Sequence, residues 1–146
     1  MKSRIRLVLA AAVLGTWSLP THAAEPPLYE RLGGMPAIRA VVNGLLDRIV
    51  KDGRVNGWFG WASNPSAAAA YKASLADFVC QATGGPCKYG GPNLKNVHNG
   101  MGITKQAFES VVEDLTAVLD ELKVPASEKK ELLGLLAPLE SQIVER

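Results

Sequence analysis

From Met35 onward the apolar residues of this chain recur with the period of an α-helix. Met35, Ile38, Val41, Val42, Leu45, Ile49 and Val50 keep one face apolar, with Leu46 beside the stripe, until Gly53 stops the helix. Asn64-Pro65 then reads as a cap followed by proline at the first helical position. The helix it opens carries Tyr71, Leu75, Phe78, Val79 and Ala82 on one face and Lys72, Ser74, Asp77 and Gln81 on the other, and Gly84-Gly85 ends it. Thr104 caps a third helix, in which Phe108, Val111, Val112, Leu115, Val118, Leu119 and Leu122 fall at near-ideal spacing. Val124-Pro125 breaks it. Ser127 starts a last helix with Leu132, Leu133, Leu135, Leu136, Leu139 and Ile143 apolar, which Pro138 should kink or split. A short helical piece, Leu28 to Arg31, precedes Gly33-Gly34. No stretch alternates with period two, so the pattern predicts an all-α chain. Four such helices can bury one another as a plain bundle, and that pattern by itself calls for no cofactor.

Two stretches fit a plain bundle poorly. Residues 93–104, NLKNVHNGMGIT, put Leu94, Val97, His98 and Met101 at i, i+3, i+4 and i+7, so a short helix here sets the imidazole of His98 in an apolar stripe. Asn93 is placed to cap its start, and Gly100 and Gly102 to end it. A histidine facing inward between aliphatic neighbours is either a packed side chain bonded to a carbonyl or a metal ligand. Residues 54–61 gather Trp58, Phe59 and Trp61 among Gly57 and Gly60 on a predicted loop. These aromatics either plug the end of a helical core or cover something large.

The amino terminus changes the charge argument. Lys2, Arg4 and Arg6, an apolar run from Leu7 to Leu19 and the small residues around Thr21-His22-Ala23 predict a signal peptide over residues 1–23, cleaved near Ala23. An uncleaved anchor is the other reading, but the run is shorter than the roughly 20 residues a membrane helix needs. Cleavage leaves residues 24–146 as one domain, periplasmic or secreted, with no stable membrane association. It removes three of the 16 basic residues and none of the 14 acidic ones, so 13 face 14 and the net charge turns from +2 to −1. The basic pI belongs to the leader, and no basic patch with interleaved aromatics points to nucleic acid. His98 is then the only histidine left, so ligation by two histidines of one chain is excluded.

Common site patterns are absent. One histidine and two cysteines do not make a four-ligand zinc site, no CxxCH motif attaches haem covalently, and there is no P-loop, dinucleotide fingerprint or nucleophile elbow. Cys80 and Cys87, seven residues apart, predict a disulfide in an exported protein, with a redox-active pair as the other reading. An inward histidine, an opposite helix bearing Tyr71, and the Trp58 and Phe59 cluster are the parts of a pocket for a flat apolar ring whose metal takes one axial nitrogen, a description that haem fits.

These same residues carry a family resemblance. LYERLGG from Leu28, the Gly84-Gly85 pair, LKNVHNGMGIT followed by Phe108, and the VP...LLGLLAPL close match, in order and spacing, the group 1 truncated haemoglobins, and the match runs from Leu28 to about Val144. The resemblance implies a globin-like, two-over-two helical sandwich, with the Met35 and Tyr71 helices crossed on the Phe108 and Leu132 helices around non-covalent haem b. It implies His98 as the proximal iron ligand and Phe59 as the aromatic on the haem face. Tyr89 and Lys95 fall where the family often places groups near the propionates, and Met101 lies in the stretch that carries the ligand.

The departures bear on mechanism. Family members usually carry a tyrosine on the first long helix, where this chain has Leu46, and a polar partner on the facing helix, where it has Leu75. Tyr71 takes the position that first faces the ligand, so it is the one candidate hydrogen-bond donor. The expectation is a protein that reversibly binds oxygen or another diatomic gas such as NO or CO. The alternative is a periplasmic haem enzyme that turns over nitric oxide or peroxide with an electron donor. A third reading, a haem-free helical bundle acting as an interaction module, leaves both the histidine and the aromatic loop unexplained.

Overall fold

The computed structural model describes residues 24–146; the expected signal peptide lies outside the described residues. All regular elements among these are helical. They are α1 (Leu28–Arg31), α2 (Gly34–Ile49), a 3-10 segment (Asn56–Ser63), α3 (Pro65–Ala82), α4 (Leu94–His98), α5 (Lys105–Glu121), α6 (Ala126–Gly134), a 3-10 turn (Ala137–Leu139) and α7 (Glu140–Ile143). None of the helices is long and apolar enough to cross a membrane.

The expected caps form. The Asn64 side chain accepts from the amides of Ser66 and Ala67, at 3.0 and 3.1 Å, Asn93 accepts from Lys95 at 2.9 Å, and Thr104 accepts from Ala107 at 3.1 Å. The last helix begins differently. Pro125 is its cap position and Ala126 its first residue, while the Ser127 hydroxyl donates to Glu128 and leaves the helix end alone. Pro138 does split the carboxy-terminal segment after α6, into the 3-10 turn and α7.

Helix α2 packs on α3 and on α5, while α5 also meets α6 and α7, which gives the two-over-two arrangement. The crossing of α2 on α5 is close at Gly44, where an added Cβ would lie 2.9 Å from Val118 Cγ1. Ile49, Val118 and Leu119 are almost fully buried in one cluster between α2 and α5, and Ile38 and Val42 in a second with Ala76 and Cys80 of α3. Each such side chain contributes on the order of 1.5–3 kcal/mol by leaving water. The four-residue α1 is too short to hold itself. Arg31 ties it to α6 through Glu128 at 3.2 Å and through Glu131.

At the far end of α2 the chain turns through a charged corner. Asp52 accepts from the amide and guanidinium of Arg54, which also reaches Glu113 on α5 at 2.6 Å. Beside it Asp114 is buried, and its Oδ2 has no hydrogen-bond partner. Burial and the neighbouring Asp52 charge push the Asp114 carboxyl above its ordinary value.

Candidate functional site

The 3-10 segment joins the two halves of the site. Its sequence, NGWFGWAS, has no apolar stripe of helical period, and it packs against α3. On that side Trp61 lies against Tyr71, ring centroids 4.9 Å apart, and Phe59 meets the Tyr71 ring edge-on at 6.2 Å. On the other side the Trp58 indole N–H donates to the Met101 carbonyl at 2.9 Å, three residues beyond His98. The aromatics predicted on a loop thus sit on a short helix that touches both the Tyr71 wall and the His98 loop.

His98 ends α4. Its Nδ1 lies 2.7 Å from the carbonyl of Leu94 one turn earlier. A carbonyl only accepts, so Nδ1 carries the proton of this bond, and in the neutral tautomer Nε2 is then the nitrogen left for another partner. A metal-ligating histidine has this arrangement, since the second bond sets both tautomer and ring direction. Among the described residues no three His, Cys, Asp or Glu side chains gather around an ion.

Tyr71 is half-buried on α3, and its hydroxyl has no partner among the described residues. Burial pushes the phenol up to about 12, so the group is a neutral O–H donor at physiological pH. Leu46 is fully buried on α2, and Leu75 is half-buried on α3. Phe59, Leu75 and Trp58 pack against one apolar cluster built on Leu45, Ile49, Leu115 and Leu119.

The remaining residues are placed less simply. The helix carrying His98 stops there, so Met101 is not on it: Leu94 and His98 are half-buried, while Val97 and Met101 are 42% and 39% exposed. The contribution of Met101 is its backbone carbonyl. Tyr89 packs edge-on against Phe78 at 5.2 Å, and its hydroxyl donates to the carbonyl of Pro92 at 3.1 Å, so its one proton is already engaged within its own loop. Lys95 is exposed in the first turn of α4. Cys80 and Cys87 are joined, fixing the end of α3 to the loop that carries Tyr89.

One residue that sequence reasoning missed also acts here. Glu145 accepts from the amides of Gly100 and Gly102, directly after the His98 helix. Nothing in a local pattern pairs an acidic residue with two glycines more than 40 positions away.

The profile of the bacterial-like globins matches residues 27–145. A group 1 truncated haemoglobin of Mycolicibacterium paratuberculosis is 36% identical over 121 residues, covering 82% of this chain and 86% of that one. Among solved structures, the truncated haemoglobin of Tetrahymena pyriformis in its Fe(III) form superposes with a TM-score of 0.74 at 26% identity, over 83% of this chain and all of that one. The 2/2 haemoglobin of a Synechococcus species, in the cyanomet state and with covalently attached haem, gives the same score, identity and coverage.

Proposed function

Because the chain belongs to the group 1 truncated haemoglobins, globins that hold haem and bind gases, we propose that it carries haem b on His98 and reversibly binds oxygen, or another diatomic gas such as NO or CO, opposite that ligand. The bond from His98 Nδ1–H to Leu94 carries this reading, because it fixes the ring direction and leaves Nε2 as the nitrogen not engaged by the chain. When bound, haem would supply an iron able to take a histidine nitrogen and a diatomic gas.

The chain's own residues set the character of the site. His98 would hold the iron through Nε2. Phe59, placed by the 3-10 segment, offers a flat apolar contact to the ring. Leu46 and Leu75 are apolar where a pair of polar groups would move protons, which disfavours cleavage of peroxide. Tyr71 supplies the one O–H on that side, held against Trp61 and Phe59. Lys95, exposed in the first turn of the His98 helix, is a candidate partner for a propionate. The Cys80–Cys87 bond supports export to an oxidising compartment, with residues 1–23 as the cleaved leader.

The test is the visible spectrum of the mature chain with haem, in ferric, ferrous and ferrous carbonmonoxy states, beside His98→Ala. A ferrous high-spin spectrum that converts to a histidine-ligated carbonmonoxy form, and is lost in the variant, is expected. Indistinguishable spectra from the two proteins would sink the assignment of His98.

A further inference from the structure

The segment after His98 is held from the outside. Asn99 leaves the helix in an extended conformation, and Gly100 and Gly102 take φ of +81° and +63°, a region that favours glycine. This turns both glycine amides toward one carboxylate. Gly100 N–H donates to Glu145 Oε1 at 2.6 Å, and Gly102 N–H donates to Oε2 at 2.5 Å. The backbone beside Glu145 is bound to the same stretch. The amide of Glu145 donates to the Ile103 carbonyl at 2.8 Å, and the amide of Lys105 donates to the Arg146 carbonyl at 3.1 Å. Trp58 holds the Met101 carbonyl from the opposite side.

Helix α4 has five residues, far fewer than a helix needs to persist alone in water. Where its last side chain sits is therefore decided by its tethers. The first tether after His98 is the Glu145 carboxylate, two residues on. Each bond is charge-assisted, and two neighbouring amides form a concavity suited to an anion. A neutral amide side chain satisfies only one of the two, because its NH2 would face a donor.

We propose that Glu145 is a positioning residue for His98: by clamping the Gly100 and Gly102 amides it fixes the loop that ends α4, and with it the place and tilt of the imidazole. This rests on the reading that His98 ligates haem iron. Glu145 touches neither the ring nor the gas and acts only through the loop.

The test uses the full mature chain with haem, as wild type, Glu145→Gln, Glu145→Ala and the control Glu140→Gln, which removes a carboxylate from the same stretch and weakens only its exposed 3.9 Å ion pair with the Lys105 side chain, leaving the glycine amides bound. The readouts are the iron–histidine stretching band of the ferrous form by resonance Raman, the rate of haem loss to an excess of a scavenger apoglobin, and hydrogen exchange at the Gly100 and Gly102 amides. Glu145→Ala should shift and broaden the band, expose both amides to exchange and speed haem loss by about tenfold or more, since it removes two hydrogen bonds to a charged group, each of which alone corresponds to about that factor. Glu145→Gln should fall between it and wild type, and Glu140→Gln should match wild type. An unmoved band with haem loss unchanged in Glu145→Ala overturns the proposal while leaving His98 as ligand. If wild type shows no band that His98→Ala abolishes, the ligand assignment and the positioning role fall together. Should the alanine variant not fold, the glutamine variant carries the same comparison.

Discussion

Tyr71→Phe removes one oxygen atom and keeps the ring that packs 4.9 Å from Trp61 and edge-on to Phe59. The hydroxyl has no protein partner among the described residues, so its loss should change folding stability by less than about 0.5 kcal/mol. With the phenol pushed up to about 12, it is an O–H donor throughout the neutral range. A hydrogen bond from it to polarised bound oxygen is worth roughly 1–3 kcal/mol. At 1.4 kcal/mol per decade, that predicts oxygen release faster by about fivefold to a hundredfold. Because Tyr71 is only half-buried, the expected value lies in the lower part, about five- to twentyfold. Carbon monoxide is less polarised when bound, so its release should change less. Stopped-flow displacement of oxygen by excess carbon monoxide measures the first rate, and thermal unfolding of the same sample checks the second claim. An off-rate within twofold of wild type would refute the donor role. A faster rate together with a large drop in melting temperature would refute it equally, since the cause would then be lost packing.

Two further substitutions test the frame around the site. Asp114→Asn should stabilise the fold at pH 7 by about 1 kcal/mol, because it replaces a buried acid whose Oδ2 has no partner. The sign comes from linkage. The folded carboxyl binds its proton more tightly than the unfolded one, whose ordinary value is 3.8, so wild-type stability is full below that pH and declines as pH rises through the folded value. The advantage of the variant in urea unfolding should therefore vanish on acidification toward pH 3.5, and an advantage independent of pH would contradict the assignment. Replacing Cys80 and Cys87 together by serine should cost roughly 2.5 kcal/mol by the chain-entropy estimate for so short a loop. Wild type in reductant should show the same loss, and an unchanged urea midpoint would remove the bond's stabilising role.

The caps at Asn64, Asn93 and Thr104 were legible in the sequence because a cap joins residues two or three positions apart, and the four long amphipathic stretches were legible because burial imposes a period. The family motifs brought His98 and Phe59 forward as well. What was not legible was non-local or aperiodic. The 3-10 segment of Asn56–Ser63 has no apolar repeat to announce it, so it read as a loop. The spacing of Leu94, Val97, His98 and Met101 suggested a longer buried stripe, but α4 stops at His98 once Asn99 turns extended, which leaves Val97 and Met101 exposed. Ser127 resembled a cap, yet its hydroxyl bonds to Glu128. The links from Trp58 to Met101 and from Glu145 to the glycine amides span more than 40 residues, and no window of sequence contains them.

The 3-10 segment also gives the molecule a built-in optical reporter. Trp58 and Trp61 are the two tryptophans among the described residues, and both lie on this one short element, one bonded to the loop after His98 and the other packed at a tilt against Tyr71. The tryptophan fluorescence of residues 24–146 therefore arises from a single locality instead of being averaged over the fold. A strongly absorbing ring seated against Phe59 would drain that emission by energy transfer. The brightness of the indoles then counts cofactor arriving and leaving, without a label and without any change to the chain.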